Sequence, residues 1–236
     1  MPWRIVYVNF LMSEKQEIVT IDGPSGVGKS TLSRQVAAAL GYTYLDTGAM
    51  YRAVALFFKR QHIDLKNDQA VRIALSGLDI QLFPAKHEDG DVGVLVNGQD
   101  VSLAIRTPEL GMLASQVSAI PAVRAQLTAM QQAIGRSGKI VAEGRDTGTV
   151  VFPYAAWKFY LEAEPEERAR RRVAQLRAAG QEVNAEELLQ QTLKRDRDDQ
   201  ERALAPLKKA DDAFSIDTTY LDIQNVCTRI LQIIQA

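Results

Sequence analysis

The sequence predicts an α/β protein with a parallel five-stranded sheet flanked by helices. Two observations lead to this class. Short apolar runs alternate with helical patterns along the chain, and each run is apolar enough to be buried on both faces of a sheet. We find no internal repeat that would indicate a solenoid. The five predicted strands are residues 18–22, 42–46, 139–142, 157–161 and 213–217.

Helix signals fill the intervals between these strands. Residues 29–40 carry Leu32, Val36 and Leu40 at four-residue spacing, and Gly41 follows as a typical helix end. The other helices are indicated by their ends and faces: Thr107 and Pro108 at one start, Pro165 and Gly180 around an Arg-rich helix, Asn184 and Glu187 as a capping box, and an apolar face in residues 221–234.

One stretch breaks the alternation. Residues 78–83 and 92–96 are strand-like and flank a polar turn at 86–90, and Asn97-Gly98 is a second hairpin signal. We therefore expect a small antiparallel β-containing insert, about residues 62–105, over the ligand cleft.

Composition and charge exclude several classes of protein. The chain has 236 residues, with 28 Lys and Arg against 29 Asp and Glu, whereas proteins that bind a nucleic acid polymer usually carry a basic excess. The single cysteine, Cys227, lies in an apolar helical run, so an intrachain disulfide and a cysteine metal site are both excluded. His62 and His87 are too few for a His-based zinc site.

The first residues contain an apolar stretch, 5–12, that is short for a secretory signal and lacks its small-residue cleavage site. No later run approaches the about 20 apolar residues that span a bilayer. We expect residues 1–16 to be a disordered or loosely packed extension, with Met12 as an alternative start. We expect a cytoplasmic protein with no membrane partner.

Residues 23–30, GPSGVGKS, fit the G-x-x-x-x-G-K-[ST] motif, called the P-loop below, and they follow a strand and open a helix as this motif requires. Backbone N–H groups and the helix dipole bind phosphate there, Lys29 reaches the β- and γ-phosphates, and the Ser30 hydroxyl joins a Mg²⁺ shell. No guanine-reading N-K-x-D follows, so a GTPase is not expected. The predicted ATP-binding residues are Gly23, Pro24, Ser25, Gly26, Val27, Gly28, Lys29, Ser30 and Thr31.

Two neighbouring strands end in segments that combine an aspartate, a glycine and an arginine, DTGAMYR at 46–52 and EGRDTG at 143–148, and Arg52 lies one turn into the helix that follows the first. In open α/β sheets, ligands collect beyond the carboxyl ends of the strands. Arg52 and Arg145 could therefore meet a second phosphate close to the P-loop.

Taken together, several segments resemble bacterial cytidylate kinases. They are GPSGVGKST, DTGAMYR, SQVSAIPAVR at 115–124, EGRDTGTVVFP at 143–153 and RDRDDQERALAPL at 195–207. The resemblance covers about residues 17–236 and implies a P-loop NTPase-type fold with a nucleoside-monophosphate-binding insert and a helical lid at about 163–200. It also implies transfer of phosphate from ATP to CMP, and also to dCMP, with Mg²⁺ as the cofactor, in a monomeric enzyme of pyrimidine nucleotide metabolism.

The resemblance implies roles for individual residues. Arg52 and Arg145 match the clamp on the acceptor phosphate, and Arg124 and Asp146, with Ser115 nearby, match the residues that read cytosine. Thr47 stands where the family usually has Ser, which keeps the hydroxyl and adds a methyl. Arg195, Asp199 and Arg202 match a triplet near the ribose, base and transferring phosphate. The catalytic residues implied are Lys29, Arg145, Arg195 and Arg202; Glu143 replaces a commoner Asp and is given no direct role.

Four arginines at 168 and 170–172 follow Pro165. Because successive residues of a helix cannot share one face, we take Arg168 and Arg172, spaced i and i+4, as the lid residues that contact ATP.

The cytosine assignment has a physical basis. Cytosine offers an exocyclic amine beside two acceptors, which suits a carboxylate next to a guanidinium, whereas uracil would place a carbonyl against Asp146. Two alternatives stay open: a P-loop kinase for another small acceptor such as UMP, and a nucleotide-sensing binding module.

Overall fold

The computed structural model describes residues 16–85, 90–178 and 180–236. The predicted N-terminal extension, except Gln16, and His87 with most of the predicted polar turn lie outside these residues. The described strands are β1 (Gln16–Asp22), β2 (Thr43–Asp46), β3 (Ile80–Phe83), β4 (Gly93–Val96), β5 (Gln99–Asp100), β6 (Ile140–Gly144), β7 (Ala155–Glu162) and β8 (Phe214–Asp217). The described α-helices are α1 (Lys29–Leu40), α2 (Thr47–Arg60), α3 (Asp68–Ser76), α4 (Pro108–Ser118), α5 (Pro121–Ile134), α6 (Pro165–Ala178), α7 (Ala185–Glu201) and α8 (Ile223–Gln235).

The predicted five-stranded sheet is confirmed. Its strand order is β2-β6-β1-β7-β8, and every neighbouring pair is parallel. The register aligns the carboxyl ends of the strands: Asp22 is the partner of Gly144, and Asp46 is the partner of Glu143. The segments that follow these strands, including the P-loop, therefore meet at one edge of the sheet.

The sheet is buried on both faces, as its continuous apolar strands predict. Successive residues of β1 point to opposite sides, with Ile18 packed in a core under α2, α4 and α5 and Val19 in a second core under α1 and α8. Cys227 lies buried in this second core as a small apolar side chain, where burial raises the pKa of its thiol. No helix in residues 16–85, 90–178 or 180–236 has the length and apolarity that crossing a membrane would need.

The helix-end signals are also confirmed. Helix α1 ends at Gly41 in the left-handed conformation (φ +66°), and the Thr107 hydroxyl accepts a hydrogen bond from the Leu110 N–H at the start of α4. The Asn184 side chain accepts from the N–H groups of Glu186 and Glu187 at the start of α7. Local side-chain chemistry therefore sets these boundaries.

The insert is the antiparallel sheet β3-β4-β5, and Asn97 and Gly98, both with positive φ, form its second turn. It also contains helix α3, which the sequence analysis did not predict. This helix is short and mostly exposed, with only Val71 and Leu75 buried, so few apolar positions mark it in the sequence.

The lid consists of α6 and α7. Val173, Leu176 and Leu188 form a small apolar cluster between the two helices, separate from the main cores. An ion pair between Arg168 Nη2 and Asp196 Oδ2 (2.6 Å) joins them on the cleft side.

Candidate active site

A cavity of about 1010 Å³ opens at the carboxyl edge of the sheet, between the P-loop, the insert and the lid. It brings together most of the residues that the sequence analysis selected. Those lining it are Ser25, Gly26, Val27, Gly28, Lys29, Ser30, Thr31, Thr47, Arg52, Ser115, Arg124, Arg145, Asp146, Arg168, Arg172, Arg195, Asp199 and Arg202. Gly23 and Pro24 do not line the cavity, although the Pro24 carbonyl oxygen accepts a hydrogen bond from Lys29.

The P-loop depends on its first glycine for close packing. At Gly23 (φ +150°), a Cβ atom would lie 2.3 Å from the Leu161 carbonyl oxygen of β7, which no side chain tolerates. Gly28 (φ +95°) precedes α1 and supplies no side-chain cap. The first N–H groups of α1 therefore have no side chain to satisfy them and are placed to bind an anion.

Lys29 is buried, and its Nζ donates a hydrogen bond to the Pro24 carbonyl oxygen (2.6 Å). Burial lowers the pKa of Lys29 well below its usual value, and the positive charge of Arg145 lowers it further. Arg195 responds in the same way: burial and Arg145 lower its pKa to about 10. Three cations thus share one low-dielectric site, which favours an anionic ligand between them.

Glu143, to which the sequence analysis gave no role, is buried beside the P-loop and accepts a hydrogen bond from the Tyr44 hydroxyl. Burial and the charge of Asp46 raise the pKa of Glu143, and Lys29 and the Ser30 hydroxyl partly offset this rise. The signal for it was available, since Glu143 is near the end of a strand, where ligand-facing side chains concentrate.

Asp22 and Asp46 were also not selected from the sequence, although they end β1 and β2 and so carry the same strand-end signal. Asp22 accepts hydrogen bonds from the N–H groups of Thr147 (2.9 Å) and Gly148 (2.7 Å) and so fixes the turn after β6. Burial raises the pKa of Asp22 to about 6. Asp46 accepts from Arg52 Nη2 (3.1 Å).

The second half of the cleft centres on Asp146, which is only 5% exposed. Arg124 Nη1 donates to Asp146 Oδ2 (2.7 Å) and Arg202 Nη2 donates to Asp146 Oδ1 (3.3 Å). The Arg124 guanidinium also lies 5.4 Å from the centre of the Tyr51 ring, a cation–π contact. Burial raises the pKa of Asp146, although the two arginines act in the opposite direction.

Asp199 ties the lid to the rest of this half. It accepts from the Ser115 hydroxyl of α4 (2.7 Å) and from Arg145 Nε (2.9 Å). Burial acts to raise the pKa of Asp199, but Arg145 and Arg195 outweigh it and the pKa is lowered. The carboxylate therefore stays ionised and orients Arg145 towards the P-loop.

Three further selected side chains, those of Arg168, Arg172 and Thr47, also have partners within the protein. Arg168 Nη1 donates to the Ser25 carbonyl oxygen (3.0 Å), in addition to its pairing with Asp196, so it holds the lid against the back of the P-loop. Arg172 donates to the Gln175 side chain at the mouth of the cleft. The Thr47 hydroxyl donates to the Glu143 carbonyl oxygen (2.6 Å).

Unpaired donors concentrate in this cleft. Among the described residues, buried guanidinium nitrogens without a hydrogen-bond partner occur in Arg52, Arg106, Arg124 and Arg195, all of which line the cavity. Buried donors are normally satisfied, so these positions favour a ligand rich in acceptor oxygens.

This chain is similar to known proteins over nearly its whole length. The family model for cytidylate kinase matches residues 19–236. The cytidylate kinase of Carboxydothermus hydrogenoformans is 47% identical over 92% of this chain and 96% of its own length, and that of Syntrophotalea carbinolica is 46% identical over 93% and 92%. An uncharacterized protein from Eubacterium ventriosum shares the fold with a TM-score of 0.50, at 9% identity over 94% of this chain and 99% of its own. The chain belongs to the cytidylate kinase family.

Proposed function

We propose that this protein transfers the γ-phosphate of ATP to CMP, yielding ADP and CDP. One observation carries the proposal: a single cleft joins a P-loop to a second group of buried cations arranged around Asp146. An ATP-binding switch would have no use for this second site.

The donor phosphates would lie on the N–H groups of the P-loop and the start of α1, next to Lys29. Tyr220, which is 94% exposed at the rim of the same cavity, offers an aromatic face for the adenine base. Its loop is held close to the P-loop, because the Thr218 hydroxyl donates to the Val27 carbonyl oxygen (3.3 Å) and Arg171 donates to the Thr218 and Thr219 carbonyl oxygens.

Mg²⁺ fits the donor half of the cleft. The Ser30 hydroxyl and the Glu143 carboxylate are neighbouring oxygen donors of the kind this cation prefers. No group of three or more His, Cys, Asp or Glu side chains in the described ranges could hold a metal, so phosphate oxygens and water would complete the shell around Ser30. The bound ion would supply charge neutralisation on the β- and γ-phosphates.

The acceptor would lie on the other side of the moving phosphate. Arg52 and Arg145 would bind the CMP phosphate, and Asp146 would accept the cytosine amine while Arg124 donates to the ring acceptors. Each carboxylate oxygen has two acceptor positions, so Asp146 can serve the base while keeping Arg124 and Arg202. Asp199 and Ser115 would then face the ribose and base from the lid side, with the Thr47 hydroxyl near the base.

Phosphoryl transfer in this site needs positioning and charge neutralisation rather than a general base, because the second pKa of a phosphate is near 6 and CMP is a dianion at neutral pH. Lys29, Arg145 and Arg195 surround the space between the two substrates and would stabilise charge on the transferring group. Arg202 would hold Asp146 in place. Closure of the lid, with Arg172 at the cleft mouth, would exclude water that could otherwise hydrolyse ATP.

A coupled assay of ADP release tests the proposal. With ATP and Mg²⁺, CMP and dCMP should each start ADP release, and UMP and AMP should be much poorer acceptors. A higher kcat/KM for UMP than for CMP would establish the alternative kinase. ATP binding with no acceptor-dependent ADP release would favour a sensing module.

We further propose that the enzyme acts as a monomer in the cytoplasm. Both follow from the resemblance to bacterial cytidylate kinases. Light scattering after size exclusion checks the monomer, and a dimer at assay concentrations would contradict it.

A further inference from the structure

Arg106 lies on the short 3-10 turn Ala104–Arg106, between the β insert and α4. Its Nη1 donates to Asp46 Oδ2 (2.9 Å), the same oxygen that accepts from Arg52 Nη2 (3.1 Å). Two guanidinium groups thus converge on one carboxylate oxygen, and both line the main cavity.

This arrangement has more positive than negative charge. Asp46 is 3% exposed and accepts a hydrogen bond from the Ala49 N–H (2.8 Å). Burial acts to raise the pKa of Asp46, but the charges of Arg52 and Arg106 outweigh burial, so the pKa is lowered and the carboxylate is ionised. Asp91 adds a second carboxylate, but it is shared between Arg106 and Arg34, so three arginines face two carboxylates. One positive charge is therefore left uncompensated, beside Arg52 and Arg106 side chains that are only 19% and 22% exposed. Such a charge is costly unless an anion pairs with it.

Arg106 also has hydrogen-bond donors to spare. Its Nε and Nη2 are buried and have no hydrogen-bond partner in the described part of the chain, and the same holds for Arg52 Nε. The carboxylate of Asp91, from the insert, approaches Arg106 Nε at 3.4 Å, but it hydrogen-bonds to Arg34 (2.8 Å) instead. A planar guanidinium with two unused donors is suited to phosphate.

Gly48 lets Arg52 and Asp46 approach each other closely at the start of α2. A Cβ atom at Gly48 would lie 3.2 Å from Asp46 Oδ1 and 3.4 Å from Arg52 Nη1. A larger residue at this position would push against the Asp46 carboxylate and the Arg52 guanidinium, the two groups whose pairing Arg106 joins.

We propose that Arg106 is a third ligand of the acceptor's phosphate, together with Arg52 and Arg145, and that Asp46 is the positioning residue that holds Arg106 and Arg52 side by side. The inference rests on the proposed function, since it takes the CMP phosphate to lie at Arg52. It also gives the insert a direct link to substrate: the turn that carries Arg106 joins the insert to α4, which carries Ser115.

The test compares an acceptor that has the phosphate with one that lacks it. The affinities of Arg106→Gln for CMP and for cytidine are measured by calorimetry, with inhibition by cytidine as a second readout. CMP binding should weaken about 10- to 100-fold, the worth of charge-assisted hydrogen bonds, while cytidine binding changes less than about twofold. Arg106→Lys keeps the positive charge but not the planar pair of donors, so it should recover part of the lost CMP affinity.

Arg60→Gln is the matched control, because Arg60 is exposed, lies on α2 and donates to Gln99 of the insert (2.8 Å) away from the cleft. It should bind both ligands normally. If Arg106→Gln weakens CMP and cytidine equally, or weakens neither, the inference is wrong and Arg106 is structural. If the wild-type enzyme phosphorylates CMP, either of those outcomes contradicts only the role of Arg106, and the proposed function remains supported. If the wild-type enzyme does not phosphorylate CMP, both the proposed function and the role of Arg106 are wrong.

Discussion

Replacing Asp146 with asparagine should reduce the preference for CMP over UMP. The carboxylate is almost fully buried and holds Arg124 on one oxygen and Arg202 on the other. Asparagine keeps one oxygen and puts an NH₂ donor in place of the second. The new donor faces the cytosine amine unfavourably, but it can donate to the carbonyl that uracil presents at the same place.

The magnitude follows from what cancels between the two substrates. The weakened contacts to Arg124 and Arg202 lower kcat/KM for CMP and UMP alike and drop out of the ratio. What remains is the loss of one charged hydrogen bond to cytosine, about 1.5–3 kcal/mol. Each 1.4 kcal/mol is a factor of ten, so the CMP-to-UMP ratio should fall about 10- to 100-fold.

The assay is ADP release with each acceptor, comparing kcat/KM ratios for wild type, Asp146→Asn and the control Asp68→Asn. Asp68 is an exposed carboxylate paired with Arg72 on α3 and should leave the ratio unchanged. If Asp146→Asn lowers both activities but preserves the ratio, Asp146 does not read the base.

Three other changes follow from the structure. Lys29→Ala should lower kcat by about 100-fold or more, with CMP affinity by calorimetry largely unchanged, because the lysine faces the transferring phosphate; near-normal turnover would contradict this. Gly23→Ala should lower the free energy of unfolding severely, because its Cβ would meet the Leu161 carbonyl oxygen. Gly41→Ala, whose Cβ would have nothing within 4 Å, should lower it by only about 1–2 kcal/mol, the cost of the left-handed backbone; similar losses in thermal unfolding of the two variants would refute the packing argument. The raised pKa of Asp22, about 6 against 3.8, means that the folded state keeps its proton to higher pH than the unfolded state does. Wild-type stability relative to Asp22→Asn should therefore fall by about 2.4 kcal/mol as pH rises from 4 to 7; urea unfolding measures the difference, and a flat profile would contradict it.

The fold was predictable because its strands are buried on both faces. Residues 18–22 of β1 are all buried and include Ile18, Val19 and Ile21, and all five predicted strands agree with the structure to within about two residues, the usual uncertainty of boundaries. Elements with little buried surface were not predictable. Helix α3 buries two side chains, and the π-type turn Thr147–Val151 depends on hydrogen bonds from Thr147 and Gly148 to the distant Asp22.

Site residues were predictable where they belong to a local sequence motif. They were not predictable where their role depends on contacts between distant parts of the chain. The P-loop follows from spacing alone, whereas the resemblance to a family was needed for Arg124, because it lies on α5 and pairs with Asp146 on a different element, 22 residues further along the chain. Glu143, Asp46 and Arg106 were missed because their roles arise from contacts between β2, β6 and the insert. The rule that ligands gather at strand ends would have indicated the first two.

The central claim is that one cleft holds two nucleotides with the γ-phosphate between them. Incubation with ATP labelled on the γ-phosphate, with and without CMP, followed by separation of the products, tests it most directly. The label should move into CDP in step with ADP formation, and little should reach inorganic phosphate. Label that accumulates in inorganic phosphate at the same rate whether or not CMP is present would contradict the account.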